Sequence, residues 1–405
     1  FPAMLFTLSV TILAGIGFGL APALAAARID LNTTLKEGGR TSSAHGGRGW
    51  LRAALVVSEI GLGLILLVGA GLLLKSFLRL NQVDPGFHPE NVLTITLSLP
   101  QNKYAKPEQR GDFFRAAVER IGALPGVKAA GAVSILPLSR GDSRASFSIE
   151  GRPPLAPGEF IFAALRFATP GYFEAMRIPL LRGRTFEPRD QGGGQAVAVI
   201  NDTMARRFWP NEDPLGRRIR RGSQAPWAAI AGVVGDIKHL DLTEPVQAEM
   251  YFLHAQNPTP GATIAVRTGS DPAQFAATVR SEIRAIDRDL PVANIRTMER
   301  VVADSTAQPR IVTGMVALFA ALAALLAGMG LYGVISFSVA QRSHELGVRM
   351  ALGATRDDVL WLVVGEGMRL TAAGIVLGLA AAFALTRLMA SLLFGVRATD
   401  PWVFA

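Results

Sequence analysis

Four stretches of this 405-residue chain lack the alternation of polar and apolar positions expected of a water-facing fold. Each is long enough to cross a bilayer, which takes about 20 apolar residues. From Phe1 to Ala27 no residue is ionisable. No basic segment precedes this run, so it reads as a span or the end of one rather than as a signal peptide. The second run, Ala53 to Leu74, carries a single acid, Glu59, near its basic end at Arg52. An intramembrane carboxylate is a functional candidate by default, but this close to a helix end it reads as facing neighbouring helices or interfacial water. The third run, between Arg310 and Arg342, is uncharged throughout. The fourth, Val359 to Val396, is interrupted by Glu366 and Arg369, whose spacing of three predicts an ion pair on one helical face.

The third run contains GMGLYG, which matches the glycine spacing of a dinucleotide-binding turn. That turn needs a strand before it and a helix N-terminus after it to meet a pyrophosphate. Here apolar sequence continues on both sides, so Gly328, Gly330 and Gly333 fall inside a membrane helix. Gly374 and Gly378 in the fourth run, and Gly15 and Gly19 in the first, repeat the small-residue spacing. Such glycines let helix backbones approach where lipid supplies no hydrophobic drive, and all seven are expected at helix-packing faces.

Between the second and third runs the period changes. VLTITLSL from Val92 reads as a strand, FFRAAVERIGAL from Phe113 as an amphipathic helix, and VKAAGAVSIL as a strand again. Near the other end ATIAVR, a helix opened by Asp271-Pro272, and LPVANIRTM repeat that order. The short strands ASFSIEG, FIFAALRFA, QAVAVIN and WAAIAGVVGDI lie between them. This predicts an α+β domain with an inserted subdomain at about 140–250. Residues 28–52 hold five basic and two acidic side chains, which makes them a cytoplasmic linker and orients the rest. The expected order is a transmembrane helix at 1–27, the linker at 28–52, a second span at 53–79 and the extracytoplasmic domain at 80–310. A third span at 311–341, a cytoplasmic helix at 342–358, a fourth span at 359–396 and the start of an outer loop at 397–405 complete it. Because Phe1 falls inside an apolar run and the chain stops soon after another, it reads as a fragment.

Composition agrees with a membrane protein: 18% of residues are charged and the mean hydropathy is +0.31. The formal charge of +9 beside long apolar runs is read as orienting the spans, and nucleic acid is not an expected partner. With no cysteine there is no disulfide, thiolate metal site or cysteine nucleophile. GDSR at Gly141 to Arg144 has the look of an esterase serine block but lacks a partner signature for a base, and it reads as a turn. His239 and Asp241 have a spacing seen in metal sites, yet no third ligand clusters with them, so a solvated loop and no metal or cofactor are expected. Arg206, Arg207, Arg217, Arg218, Arg220 and Arg221 lie near Phe208 and Trp209; they could grip an anionic partner or form a solvated turn between a helix and a strand. No Gly-Lys dipeptide occurs, so a P-loop is absent and any ATP hydrolysis belongs to another chain.

The segment joining the third and fourth runs carries the most information. SHELGVRMALGA predicts a short helix with Glu345 and Arg349 paired one turn apart and Gly353 ending it. Thr355 with Asp358 then forms a capping-box variant that restarts the chain. A stiff, separately capped element of this kind suits docking into a groove of a cytoplasmic partner. QRSHELGVRMALGAT resembles the coupling segment of the FtsX/MacB-type ABC transporter permeases, with the recurring positions on Glu345, Leu346, Gly347, Arg349, Ala351, Gly353 and Ala354. LVGAGLLLKSFLRLNQVDPGF, ATPGYFEAMRIPLLRGR, VINDTMARRFWPNEDPLGRRI and VVGDIKHLDL resemble the MacB-like periplasmic domain, particularly in the duplicated permeases first noted in acidobacteria. In that arrangement run one is similar to the last helix of a first half and the remainder to most of a second, whose final helix is expected after DPWVFA. The resemblance implies a multi-pass protein of the bacterial inner membrane. A MacB- or LolD-like cytoplasmic ABC ATPase would move the coupling helix, and the spans would relay that motion outward, with lipid and periplasmic adaptor or envelope proteins as further partners. A membrane-anchored scaffold or sensor, and a membrane-anchored hydrolase, are the alternative readings.

Overall fold

The computed structural model describes residues 4–5, 8–9, 11–12, 16 and 46–388 apart from 140, 154–157, 192–193 and 293, together with 393–397, 400 and 403. Gly15, Gly19 and residues 28–45 lie outside them. Helix α1 (Gly46–Leu80) leads into β1 (Val92–Ser98), α2 (Pro107–Gly122), β2 (Val127–Val133), β3 (Arg144–Ile149) and β4 (Ile161–Ala168). Then come α3 (Tyr172–Met176), β5 (Leu180–Gly183), β6 (Val197–Asn201), α4 (Asp202–Phe208), β7 (Arg218–Arg221), β8 (Ala228–Val234) and β9 (Glu249–Leu253). Strand β10 (Gly261–Thr268), α5 (Ala276–Ile286), β11 (Asn294–Thr297) and α6 (Met298–Ser305) close the domain. Helices α7 (Ala307–Gln341), α8 (Ser343–Ala351) and α9 (Arg356–Leu388) follow. The contacts divide into two compact units, Phe1–Leu64 with Ala323–Leu379, and Ile65–Leu322 with Ala380–Ala405.

Ala53–Leu80, Ala307–Gln341 and Arg356–Arg387 are long and apolar enough to cross a membrane. Their apolar residues surround the helix instead of forming a stripe, the pattern of a segment with hydrocarbon on most sides. The third ends at Leu388, and residues 393–397 are not helical.

The strands outside the membrane build one core beside a four-stranded sheet and one inside a ring, and a third, around Val133, Tyr172, Phe173, Val199 and Tyr251, joins the two. In the first, β11, β1, β10 and β2 pair antiparallel, with Ile95 opposite Ile264 and Ile264 opposite Ala132. Alternate residues of these strands face α2 and α5, where Phe114, Ile121, Val279 and Ile283 are fully buried. Each such side chain contributes about 1.5–3 kcal/mol through removal from water. Asp271 opens the approach to α5 by accepting a hydrogen bond from the Ala273 amide at 3.0 Å.

The second core lies inside a closed ring. Strand β4 pairs with β3, β3 with β7, β7 with β8, β8 with β6, β6 with β9, and β9 returns to β4 in parallel register, Phe167 opposite Phe252. Phe147, Ile149, Leu165, Ile200, Ile219 and Met250 fill it. Closure leaves none of these six strands with a free edge. Ring and sheet share one ladder pair, Val133 with Ala168, flanked by the Thr169 amide donating to the Ala132 carbonyl at 2.9 Å and the Ser134 amide donating to the Phe167 carbonyl at 2.8 Å, over a buried core common to both.

Candidate coupling helix and the helix faces beside it

Helix α8 is set off from its neighbours by what happens at both ends. Arg342, its N-cap position, sends Nη1 to Glu366 on α9 at 3.2 Å, and Ser338 on α7 donates to the same carboxylate at 3.4 Å. The expected Glu366–Arg369 contact is therefore replaced: Glu366 is engaged by α7 and the α7–α8 junction, a closer source of donors than the next turn of its own helix. At the other end Gly353 has φ +101°, a conformation nearly closed to side-chain-bearing residues. That turn lets the Gly353 amide donate to the Met350 carbonyl at 3.1 Å and the Ala354 amide to the Arg349 carbonyl at 3.0 Å, satisfying carbonyls the helix end exposes. Just beyond, Asp358 accepts from the Thr355 amide at 2.9 Å and hydroxyl at 2.7 Å, and the Asp358 amide donates back to Thr355 at 3.3 Å. The reciprocal bonds start α9 as a separate helix.

Along α8, Arg349 Nη2 lies 2.7 Å from Glu345 Oε1, and both side chains are half exposed. A pair in that setting adds only about 0.3–0.5 kcal/mol to the helix, so its charges remain available to another surface. Leu346 is buried, while Met350 and Leu352 project outward, Leu352 at 82% exposure. Gly347, like Gly353, has open space where a Cβ would stand. The structure thus brings Glu345, Leu346, Gly347, Arg349 and Ala351 onto one short helix, with Gly353 and Ala354 in its terminating turn.

Among the described residues the glycines on the helix faces beside it differ in what surrounds them. A Cβ on Gly378 would sit 2.9 Å from the Gly61 Cα and 3.0 Å from its oxygen; one on Gly374 would meet Ile60 at 2.8 Å. Helices α1 and α9 consequently cross backbone to backbone. A Cβ on Gly330 would come within 2.5 Å of Glu59 Oε2, which places that acid against α7. At Gly328 and Gly333 a Cβ would meet nothing within 4 Å among the described residues. At 3.6 residues per turn, Gly328 projects to the side opposite Gly330, and no single neighbour can meet both.

Elsewhere, His239 is not solvated. It is 9% exposed, its Nδ1 lying 3.3 Å from Glu249 Oε1 and 3.4 Å from Arg166 Nε. Arg166, fully buried, lies 3.0 Å from Glu249 Oε1 and donates to the carbonyls of Leu165 at 2.8 Å and Ser143 at 3.0 Å. Tyr251 donates to Glu249 Oε2 at 2.6 Å. Burial pushes Glu249 above the usual carboxylate range, and burial with the Arg166 charge pushes His239 well down, so the imidazole is neutral. Sequence reading missed this cluster because its members are scattered over β4, β9 and the loop between β8 and β9. Asp241 instead accepts from Thr243, and no group of three or more metal-capable side chains gathers among the described residues. In GDSR, residues 141–143 lead into β3, and Arg144, its first residue, bonds Asp142 at 2.9 Å. The arginine run is committed locally: Arg206 to Asp202 and Asp236, Arg218 to Glu150, Arg220 over Trp227 and Arg221 over Phe167.

The model of the MacB-like periplasmic core domain matches residues 53–282, and that of the FtsX-like permease C-terminal matches 317–405. A probable syringafactin export ATP-binding/permease protein of Pseudomonas syringae pv. tomato is 25% identical over 237 residues, covering 55% of this chain and 34% of the relative. A macrolide export ATP-binding/permease protein MacB of Marinobacter nauticus is 25% identical over 227 residues, covering 54% and 35%. The chain thus spans about a third of the length of these curated relatives. The crystal structure of the periplasmic region of MacB from Actinobacillus actinomycetemcomitans aligns at 13% identity and TM-score 0.37, covering 53% of this chain and 92% of that one. With three helices fit to span a membrane and a domain matched over more than half of its length, the chain belongs to the FtsX/MacB-like family of ABC permeases, as a membrane protein with a periplasmic α+β domain.

Proposed function

We propose that this chain is the permease part of a MacB/FtsX-type ABC transporter of the bacterial inner membrane, crossing it several times and relaying the motion of a MacB- or LolD-like cytoplasmic ATPase to its periplasmic domain. The observation that carries the reading is α8, a short helix between two long apolar ones, closed at its C-terminal end by the Gly353 turn and followed by a capping box that starts α9 as a separate helix. A passive linker has no need of a terminating glycine turn followed by a capping box. In this reading Glu345 and Arg349 meet charges on the ATPase, Leu346 fixes the helix from behind, and Gly347, Ala351, Gly353 and Ala354 keep the surface low enough for close approach. The Arg342–Glu366 contact ties α8 to α9, so a push on the short helix moves α7 and α9 together. The chain has no P-loop glycine-lysine pair, in keeping with hydrolysis in a partner. Periplasmic adaptors or envelope proteins would receive the motion at the outer domain, and the order of the runs fits the second half of a duplicated permease.

The test is charge reversal at α8, Glu345→Arg or Arg349→Glu, in the membrane-expressed chain beside candidate ATPases. Loss of ATPase co-purification and of stimulated hydrolysis, at unchanged expression, is expected. Unchanged co-purification would refute docking through this helix and favour a scaffold or sensor without a motor.

A further inference from the structure

Where α1 and α7 adjoin the periplasmic domain, the structure contains a cavity of about 480 Å³. That size falls within the roughly 300–1,000 Å³ typical of small-molecule sites. Leu73 and Phe77 of α1, Val312 of α7 and Phe394 form an apolar wall, and Leu138 and Leu240 extend it on the domain side. These residues come from segments fit to lie in hydrocarbon and from loops that stand just beyond it. The lining also includes the polar side chains of Ser76, Ser305, Gln308, Thr243 and Asp241. Among the described lining residues Asp241 is the one charged side chain, and no lysine or arginine joins it. A purely anionic head would therefore find no counter-charge, whereas an ammonium would find a carboxylate. Val312 is 43% exposed, so the wall is reachable from the side of the membrane helix. The loop that carries Leu240 and Asp241 is held from behind, because the His239 carbonyl accepts from the Leu138 amide at 2.7 Å and the His239 ring packs into the Arg166–Glu249 cluster.

We propose that this cavity holds an acyl chain of a bilayer lipid whose head carries an ammonium, phosphatidylethanolamine being the simplest, with the tail against Phe77 and Val312 and the ammonium toward Asp241. The site is independent of any ATPase and concerns neither α8 nor the cargo.

The absence of cysteine makes a labelling test direct. Thr243→Cys, on the exposed rim, is labelled with bimane in the full chain. The chain is then reconstituted in phosphatidylcholine vesicles holding a minority of either dibrominated phosphatidylethanolamine or dibrominated phosphatidylglycerol. Leu74→Cys on the exposed face of α1 and Glu108→Cys on the domain surface give the upper and lower references. Quenching at position 243 by brominated phosphatidylethanolamine is expected to reach at least half of that at position 74 and to exceed that by phosphatidylglycerol. Val312→Trp, which fills the cavity, should abolish it while leaving position 74 unchanged, and Asp241→Asn should remove the headgroup preference. The proposal is overturned by quenching at 243 no greater than at 108, by quenching that survives the filled cavity, or by quenching seen only when a free brominated alkylamine is added.

Discussion

Replacement of Gly378 by alanine tests whether α1 and α9 are held by backbone contact. In an ordinary helix interior the substitution is favourable by roughly 1 kcal/mol, because glycine carries the greater entropy cost. Here the new methyl would meet the Gly61 Cα at 2.9 Å, the Gly61 oxygen at 3.0 Å and the Leu64 Cβ at 3.2 Å. Two of these atoms belong to the backbone and cannot rotate aside, so the helices must separate, at the roughly 1–3 kcal/mol typical of overpacking. The net expectation is a loss of up to about 2 kcal/mol for Gly378→Ala. Gly328→Ala, with nothing within 4 Å of the added carbon among the described residues, should keep the propensity gain of up to about 1 kcal/mol. Unfolding in detergent micelles, followed by circular dichroism, would compare the two against the parent chain. Equal shifts of the same sign would refute the assignment of Gly378 to a contact that Gly328 lacks.

Other outcomes follow from the domain and from α8. Arg166→Met leaves Glu249 buried without its cation and should cost about 3–5 kcal/mol in denaturant unfolding; adding Glu249→Leu should restore much of that, and no recovery would count against the pair as the source. His254, buried against Phe114, is pushed down by burial to about 4, so it folds neutral. The stability this contributes is complete above about pH 6.5 and is lost, by up to about 3 kcal/mol, as pH falls from there toward 4; His254→Leu should flatten that interval, and an unchanged slope would rule the residue out. Gly353→Ala must hold φ near +101° and should cost roughly 1–2 kcal/mol locally, seen as faster hydrogen exchange at the Gly353 and Ala354 amides; unaltered exchange would argue that the turn tolerates a side chain.

What could be read from the chain alone depended on how local the determining interactions are. The long spans, the capped α8 and the strand–helix–strand ends of the domain follow from period, caps and glycine, all set within a few residues. Strand β7 escaped notice because its arginines hide the single inward Ile219, and β9 because EMYFL is buried on both faces and has no alternation. Glu366 was matched to Arg369 by spacing, but its donors come from Arg342 and Ser338, 24 and 28 residues away. The Arg166–His239–Glu249 cluster spans more than 80 positions and exists only once β4 lies beside β9. Spacing likewise could not say which of Gly328, Gly330 and Gly333 has a neighbour, since that depends on where α1 runs.

The return of β9 to β4 gives the outer lobe a mechanical character that an open sheet lacks. A hoop with no loose end cannot be unzipped one rung at a time by a pull at its margin; a load must shear several strand pairings together or leave the shape intact. A lobe of that kind would arrive at whatever it touches as an undeformed tool head, held to the sheet beside it by the buried residues around Val133, Tyr172 and Tyr251.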